Sequence, residues 1–477
     1  MYTKNNIFKQ LMLTYDRVFT RQDGLLRCFD CMIFLTSVSF FKLNLYYSFV
    51  FSFFLFSCNF QSKPENNYTN IEICLTKDKI QYLNASECIS EIEYVALETA
   101  PQCLIGETHH IYISENYILA YSKTSCMLFS RQGKFIRNIG SYGMGPEEYD
   151  RAYNIEIDEK SGMIYLSSTI ALIAYRISGE FVKKLNLVEL ANKHAIGRFQ
   201  NIKHWKNDIF CSNIDISSGK EPYRFVVFRL DGDIIKLFPN YVTFDSNIFS
   251  SDYTSEADIY LYNEQLSFRE FCSDTLFRLF DDLKLIPDLV FDLCGQKKPT
   301  NLLGLGVKAS INQPNNYTAI QRMYEVRNFI LFECSFGNIN PADLPGLAPC
   351  LYDRKNNRLV FCKPDPLAKR DLLAYNDPKY PISESLLKQV KHANTLFPGF
   401  INDIDGGFPF WPYRNAQMQN DNQAVARYHP FELLDNLTEE YFAAHKIKDT
   451  EAHIRLKKLM DNMDEEDNPV LMIATFK

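Results

Sequence analysis

Apolar and polar positions alternate in short segments from about residue 110 onward, and glycine, asparagine and serine separate these segments. Alternation with a period of two predicts β-strands that are half buried. The segment 111–140 contains four such strands with turns between them, and the segments 154–187 and 209–238 repeat the pattern. The chain is therefore predicted to be built from repeated groups of four antiparallel strands.

Three glycines fix the period of the repeat. Gly133, Gly179 and Gly232 each follow an aromatic strand and precede an alternating one, as in a hairpin between the third and fourth strands. Units of four strands that recur every roughly 40 to 50 residues are typical of β-propeller blades. Less regular units at about 260–294, 322–365 and 395–477 bring the expected number to six. We therefore predict an all-β, six-bladed β-propeller with four-stranded antiparallel blades.

The C-terminal part departs from this pattern. Residues 437–463 have the apolar spacing of a helix, and residues 469–476 form a further apolar strand. We expect this strand to close the ring by pairing with N-terminal residues such as 92–97, because an unpaired edge strand promotes aggregation. The predicted propeller domain spans 90–477.

The N-terminal part indicates export. Residues 32–57 carry one charge, at Lys42, and the apolar run after it suits a signal peptide, so 1–57 is interpreted as a leader. Leu55-Phe56-Ser57-Cys58 resembles a bacterial lipobox, in which Cys58 is acylated and attaches the protein to a membrane. Residues 58–89 would then form a polar tether and a leading strand. The alternative is an uncleaved membrane anchor, which leaves the body on the same side of the membrane.

Charge and cysteine content narrow the function classes. The chain has a formal net charge of −7, and its leader is basic, so the remaining body is more acidic still. An acidic body is a poor binder of nucleic acid. The ten cysteines after Cys58 are scattered rather than grouped, which is typical of buried thiols, although an exported protein can oxidise some pairs. The expected location is the cell envelope, at the outer membrane, in the periplasm or at the surface.

A glycine-rich stretch, GSYGMGPEEY at 140–149, raises the question of phosphate binding. Its residues Gly140, Gly143, Gly145 and Pro146 do not have the GxGxxG spacing, and the following segment 154–158 has the pattern of a strand rather than a helix. We therefore interpret the stretch as a structural junction between two blades, where glycine permits a tight reversal of the chain.

Several segments resemble recurrent segments of the bacterial six-bladed β-propeller lipoproteins, which are relatives of the NHL-repeat propellers. They are GKFIRNIGSYGMGPEEY, FREFCSDTLFRL, GFINDIDGGFPFWP and EEDNPVLMIATFK, and they extend over most of residues 90–477. Glu147 departs from the pattern, since such propellers commonly have a further glycine there. The resemblance implies a propeller fold and an exported, lipid-anchored location, and it implies no established activity.

The segment INDIDGGFPFWP contains the candidate ligand or metal residues Asn402, Asp403, Asp405 and Trp411. Carboxylates on a glycine turn can bind Ca²⁺, although the EF-hand template fails here. The alternative is a turn in which the aspartates accept hydrogen bonds from backbone amides while the aromatic residues pack between blades.

Two function classes follow. We favour a non-catalytic binding or scaffold module for a protein, peptide or glycan, because a rigid ring with aromatic and acidic loops needs no catalytic group for that role. The alternative is a Ca- or Zn-dependent hydrolase or lyase with its site in the central channel. The sequence identifies no catalytic residue, since it contains neither an HExxH nor a GxSxG motif.

Overall fold

The computed structural model describes residues 68–106, 108–216, 218–244, 257–270, 273–302, 316–337, 343–370 and 395–477. All of them belong to a unit that begins at Asn67 and ends at Lys477. The predicted leader and the candidate lipidation residue Cys58 lie outside the described residues. Within the described ranges, no helix combines the length and the apolar character needed to cross a membrane.

The described strands form six β-sheets, and these sheets are arranged as a six-bladed β-propeller, which confirms the predicted fold. Three strands precede the first blade: β1 (Thr69–Glu72), β2 (Ile80–Gln81) and β3 (Ile89–Ala96). Blade 1 contains β4 (Thr108–Ile113), β5 (Tyr117–Ser122), β6 (Cys126–Ser130) and β7 (Phe135–Asn138). Blade 2 contains β8 (Asn154–Asp158), β9 (Met163–Ser167), β10 (Ala171–Arg176) and β11 (Phe181–Asn186). Blade 3 contains β12 (Phe199–Lys206), β13 (Ile209–Ile214), β14 (Tyr223–Arg229) and β15 (Ile234–Pro239).

The second half of the ring is less regular. Blade 4 contains β16 (Ala257–Tyr262), β17 (Gln265–Glu270), β18 (Thr275–Leu279) and β19 (Leu285–Asp292). Blade 5 contains β20 (Ala319–Val326), β21 (Phe329–Ser335), β22 (Ala348–Asp353) and β23 (Arg358–Cys362). The last strands are β24 (Ala416–Met418), β25 (Gln423–Tyr428) and β26 (Val470–Phe476). Blade 6 is the three-stranded sheet β25-β26-β3, because β24 pairs in parallel with β4 of blade 1.

The hairpin glycines explain why the first three blades repeat so clearly. Gly133, Gly179 and Gly232 all have positive φ, at 83°, 89° and 95°, and a bulge shifts the register of each hairpin beside them. Glycine adopts this conformation without steric cost. In blades 4 and 5 the same turn uses Leu283 and Asn357, at φ 59° and 49°, so the glycine signal is lost there.

The hydrophobic core is divided into clusters between neighbouring blades. Blades 1 and 2 enclose Leu128 and Ile164, and blades 3 and 4 enclose Phe225 and Phe268. Further clusters fill the interfaces of blades 2 and 3, 4 and 5, 5 and 6, and 6 and 1. Each blade therefore buries both of its faces, and the ring is held by the packing of sheet on sheet.

The ring is closed by strands from the two ends of the propeller. Strand β26 pairs antiparallel with β3, with Val470 opposite Ala96 and Ala474 opposite Ile92, which confirms the predicted closing strand. Within 58–89, where a polar tether and one leading strand were predicted, two short strands extend the outer edges of blades. Strand β1 pairs in parallel with β19, and β2 pairs in parallel with β23.

A disulfide between Cys74 and Cys294 joins the N-terminal segment to the region after β19. Its two residues are 220 positions apart in the sequence, with Cα atoms separated by 5.7 Å. The unpaired cysteines among the described residues are all buried, as expected for structural thiols.

Short helices complete the described residues: α1 (Ala85–Cys88), α2 (Leu187–His194), α3 (Pro430–Asn436), α4 (Glu439–Ala444) and α5 (Thr450–Met460), with 3-10 turns at Lys77–Lys79 and Thr300–Leu302. The segment predicted as one C-terminal helix forms α4 and α5. The hydroxyl of Thr438 accepts a hydrogen bond from the Tyr441 amide and begins α4, and the Asp449 carboxylate accepts one from the Ala452 amide and begins α5. Between the two helices, the amide of Lys448 binds the carbonyl oxygen of Ile404 instead of continuing a helix.

Candidate functional site

The two ends of the propeller channel differ in their connections. At one end the chain turns tightly between the first and second strands of the blades, for example over 159–162, 207–208 and 263–264. At the other end the segments that lead into the inner strands are longer, as the described connections 139–153 and 187–198 and the stretch 395–415 before β24 show. Binding residues occur preferentially on loops held by a rigid scaffold, so the second end is the candidate functional face.

A cavity of about 590 Å³ opens at this face, and it lies over the first residues of the inner strands. All six blades or the segments that lead into them contribute lining residues, among them His110, Asn154, Gln200, Asp258, Gln321 and Gln417. The volume lies within the range of about 300–1,000 Å³ that is typical of small-ligand sites.

Bulges in the inner strands shape the lining. The pairing of β12 with β13 shifts register between Phe199 and Ile202, and that of β20 with β21 shifts between Gln321 and Tyr324. Within the second bulge Arg322 has φ 52°, a left-handed conformation that is uncommon for a long side chain. A bulge re-aims side chains, and such backbone strain is concentrated at functional sites.

Arg322 and Glu333 form an ion pair in the wall of the cavity. Nη1 of Arg322 donates to Oε2 of Glu333 at 2.7 Å, and Nε1 of Trp411 donates to Oε1 of the same carboxylate at 3.2 Å. Burial raises the pKa of the Glu333 carboxyl, and the nearby Arg322 guanidinium offsets only part of this effect. One carboxylate thereby connects blade 5 with the segment that precedes blade 6.

A second ion pair lies in the wall beside it. Nε of Arg269 donates to Oδ2 of Asp258 at 2.9 Å, and the amide of Met323 donates to the other carboxylate oxygen at 3.1 Å. Arg269 is 1% exposed and also donates to the carbonyl oxygen of Ile320 at 3.0 Å. These bonds fix the bulged strand β20 against blade 4 and so hold Arg322 in position.

Two further arginines lie at the rim. Nε of Arg198 donates to Asp215 at 2.9 Å, while 62% of the Arg198 side chain is exposed. Arg414 is exposed, and its Nε donates to the amide oxygen of the adjacent Asn415 at 3.4 Å. The described lining therefore contains four arginines but only two carboxylates, Asp258 and Glu333.

Lys203 and Glu156 form a buried ion pair at the channel, and Lys203 contacts the lining residue Gln417. Nζ of Lys203 is 3.0 Å from the Glu156 carboxylate and donates to Oε1 of Gln417 at 2.7 Å. The same ammonium group lies 5.3 Å from the ring centre of Tyr112. Lys203 therefore connects the inner strands of blades 2 and 3 to β24.

The structure separates the candidate residues of the segment at 402–411. Asp403 accepts hydrogen bonds from the amide and hydroxyl of Ser86, at 2.8 and 2.6 Å, and Lys448 Nζ lies 2.8 Å from the same carboxylate. Burial would raise the pKa of Asp403, but the hydrogen bonds from Lys448 and Ser86 outweigh it and hold the pKa below its usual range. Trp411 lies in the cavity wall instead.

Asn402 and Asp405 do come together, in the protein interior. Nδ2 of Asn402 donates to Oδ1 of Asp405 at 2.6 Å, and the Gly407 amide donates to the same atom at 2.8 Å. Both side chains are fully buried, and burial raises the pKa of Asp405. Among the described residues, one group of three His, Cys, Asp or Glu side chains lies close enough together to share a metal ion. It consists of Glu72, Cys74 and Cys294, and its two cysteines form the disulfide.

The glycine-rich stretch lies between β7 and β8, at the functional face. Gly140 has φ 61°, and a Cβ atom there would lie 2.6 Å from the Tyr175 ring. Gly143 and Gly145 pack against the Glu148 carboxylate, which accepts a hydrogen bond from the Gly145 amide at 2.8 Å. The adjacent Pro146 belongs to the same connection, which leads directly into a strand.

Sequence reasoning missed the cavity residues Arg198, Asp258, Arg322, Glu333 and Arg414. Their signal is weak, because each is a single charged residue in or beside a strand. The interrupted alternation in FQNIKHWK and AIQRMYEV, the sequences of β12 and β20, is the feature that could have indicated a bulge.

The protein is thus a six-bladed β-propeller with a polar, arginine-rich cavity at the end of the channel where the longer connections lie. The chain belongs to the DUF4934 family, a domain of unknown function, whose sequence model matches residues 68–475. No curated protein matches the sequence.

The chain is similar to several solved structures. An exported protein from Bacteroides fragilis NCTC 9343 has a TM-score of 0.55 at 16% identity, covering 86% of this chain and 99% of that chain. A DUF4221 family member from Bacteroides vulgatus ATCC 8482 has a TM-score of 0.37 at 13% identity, covering 57% and 84%. The extracellular domain of a hybrid two-component system from B. thetaiotaomicron has a TM-score of 0.33 at 12% identity, covering 55% and 30%. Only the first likeness supports the fold assignment, and none bears on activity.

Proposed function

We propose that the protein is an exported, lipid-anchored binding module that holds a protein, peptide or glycan ligand without transforming it. The observation that carries the proposal is the cavity of about 590 Å³ at the end of the longer connections, which is lined by residues of blades 1 to 5 and of the segment that leads into blade 6. A rigid ring that presents polar side chains around one concave site is suited to binding.

Features of the lining favour binding over the metal-dependent alternative. The described carboxylates in the wall, Asp258 and Glu333, are each engaged by arginine. A hydrolytic metal would require several free oxygen or nitrogen ligands in the same place. The candidate residues Asp403 and Asp405 are bound to the interior and do not face the cavity with Trp411.

Two features support an exported location. The Cys74–Cys294 disulfide suits an oxidising compartment, since such bonds are rare in the cytosol. The similar protein from Bacteroides fragilis is described as exported. Lipidation at Cys58 is tested by metabolic labelling with a fatty acid in the native host. Label is expected on the wild-type protein and not on Cys58→Ser, and label on both would contradict the anchor.

Binding at the cavity is tested with two matched substitutions. Gln200 lines the cavity, whereas Gln132 is exposed in the 131–134 turn at the opposite end. Isothermal titration with a panel of acidic, basic and neutral peptides and oligosaccharides is expected to find a ligand of the wild-type protein. Gln200→Trp, which fills the cavity, should abolish that binding, and Gln132→Trp should preserve it.

Failure of the whole panel, or equal binding by the two variants, would refute the proposed site. Far-UV circular dichroism and thermal unfolding of both variants establish that they are folded.

A further inference from the structure

We propose that the cavity selects a carboxylate-bearing oligosaccharide, and this inference rests on the proposed binding function. The juxtaposition that carries it is a set of arginines, side-chain amides and aromatic residues around one concave site. No single one of these features would identify the ligand, and each restricts it in a different way.

Charge is the first restriction. The protein has a net charge of −7, yet the described cavity lining has four arginines and two carboxylates. Asp258 and Glu333 are paired with Arg269 and Arg322, and Arg198 is paired with Asp215, which lies outside the lining, so the positive charge that remains for a ligand is at Arg414. The planar guanidinium group of arginine matches a carboxylate through two parallel hydrogen bonds.

The backbone conformation of Arg322 indicates that the fold holds this arginine at a fixed position in the wall. Arg322 has φ 52° inside the β20 bulge, and its side chain is about one-third exposed, at 34%. A glycine would adopt this backbone without strain, but it would remove the charge from the wall. Strained conformations persist where the surrounding structure determines them, here through the Asp258 bond to the Met323 amide.

The remaining lining suits hydroxyl groups rather than apolar side chains. It contains six side-chain amides: Asn154, Gln200, Asn201, Gln321, Asn415 and Gln417. Each amide group offers both donors and acceptors, as the hydroxyl groups of a sugar do. Trp411, Tyr153 and Tyr413 add aromatic surface to the same wall, which can pack against the apolar face of a sugar ring.

Size is the last restriction. A cavity of about 590 Å³ accommodates a few sugar units and is too small for the surface of a folded partner. A short acidic peptide would satisfy the charge and its backbone could pair with the amides, but it offers no apolar ring face to pack against Trp411, Tyr153 and Tyr413. The oligosaccharide is therefore the occupant that uses most of the lining.

The test is isothermal titration of the protein with tetragalacturonate at fixed ionic strength. Its methyl ester, a neutral galactose tetramer, a tetraglutamate peptide and inorganic phosphate are compared under the same conditions. We expect tetragalacturonate to bind and the methyl ester to bind at least tenfold more weakly. Arg414→Gln should weaken binding of tetragalacturonate at least tenfold.

The control is Arg176→Gln, because Arg176 is an exposed arginine at the opposite end of the propeller, with 55% of its side chain exposed. It should bind tetragalacturonate as the wild type does. Arg414→Lys keeps the charge and should recover part of the lost affinity. Both Arg414 variants are expected to fold, since the residue is exposed.

The outcomes separate this inference from the proposed function. Suppose that the neutral tetramer, the peptide or phosphate binds the wild type at least as tightly as tetragalacturonate does, and that Gln200→Trp abolishes this binding. The cavity is then a binding site, but the assignment of a carboxylated sugar is wrong. If tetragalacturonate binds equally to the wild type and Arg414→Gln, the role of the arginines is also wrong. If nothing binds at the cavity, both proposals fail.

Discussion

Arg322 donates to Glu333 across two neighbouring strands, with 2.7 Å between Nη1 and Oε2, and it does so from a backbone conformation that favours glycine. The bond joins the bulged inner strand of blade 5 to the second strand of that blade. The wall of the cavity therefore depends on a residue that is locally unfavourable and is held by its contacts.

Replacement of Arg322 separates these two effects. Arg322→Gln removes the charge but keeps the strain, whereas Arg322→Gly removes both. Because the left-handed conformation costs a non-glycine residue about 1–2 kcal/mol, the glycine variant should be more stable than the glutamine variant by roughly 1 kcal/mol. Urea unfolding measures the difference. A glycine variant that is the less stable of the two would show that the backbone at this position is not strained.

The Asp365–His445 pair predicts a pH dependence of stability. Oδ2 of Asp365 accepts hydrogen bonds from Nε2 of His445 at 2.9 Å and from the Tyr441 hydroxyl at 2.8 Å. Burial acts against both charged groups, but their mutual hydrogen bond prevails, so the pKa of Asp365 is lowered and the pKa of His445 is raised. The Asp365 contribution is lost as pH falls through its lowered pKa, and the His445 contribution is lost as pH rises through its raised pKa.

Asp365→Asn should therefore lower the free energy of unfolding by about 1–3 kcal/mol, and the loss should be largest between about pH 4 and 6.5. Denaturant titrations at pH 5, 7 and 8.5 test this expectation. Glu93→Gln is the control, since Glu93 pairs with Arg131 and 49% of its side chain is exposed. A loss for Asp365→Asn that increases from pH 5 to pH 8.5 would contradict the assignment.

The buried pair of Lys203 and Glu156 predicts that the two substitutions are not additive. Lys203→Met leaves a buried carboxylate without its cation and should cost about 3–5 kcal/mol. Adding Glu156→Gln removes the charge but keeps an acceptor for the amide of His204, which binds Oε1 at 3.1 Å. The double variant should recover most of the lost stability in urea unfolding. Equal stability of the single and double variants would mean that the pair is hydrated.

The disulfide should contribute measurably to the free energy of unfolding. Replacing Cys74 and Cys294 by alanine should lower the free energy of unfolding by about 2–4 kcal/mol. A reductant should lower the midpoint of thermal unfolding of the wild type and leave the double variant unchanged. Sensitivity of the double variant to reductant would show that other thiols are responsible.

Metal analysis distinguishes the two hypotheses for the segment at 402–411, a structural turn and a metal site. Asp403→Ala should destabilise the protein by about 1–3 kcal/mol, because the Ser86 and Lys448 bonds are lost. We expect the metal content, measured by mass spectrometry on protein purified without chelator, to be the same in the wild type and the variant. A stoichiometric Ca or Zn ion that disappears in Asp403→Ala or Asp405→Ala would instead favour the hydrolase or lyase.

The sequence predicted the features that depend on neighbouring residues. Gly133, Gly179 and Gly232 lie in hairpins at positions with φ values that glycine adopts readily, so the period of the first three blades could be predicted from the sequence. The closing strand was readable because it is a run of apolar residues after a helical segment.

Features that depend on distant residues were not predictable. The partner of Asp403 is Ser86, which is 317 positions away, and the sequence pattern of neither residue indicates the other. The cavity is assembled from residues of five blades and of the segment before blade 6, and bulges in β12 and β20 set the direction of some of them. The parallel pairing of β1 with β19 and of β2 with β23 also joins distant residues, and both N-terminal strands are too short for alternation to be recognised.

The pairing of β3 with β26 has a consequence for biogenesis. Since β3 lies at the start of the propeller and β26 at residues 470–476, the ring cannot be completed until β26 has been delivered. A polypeptide that crosses a membrane from its N-terminus would emerge as an open row of blades. Assembly of the ring would then finish in one late step, when β26 pairs with the waiting β3.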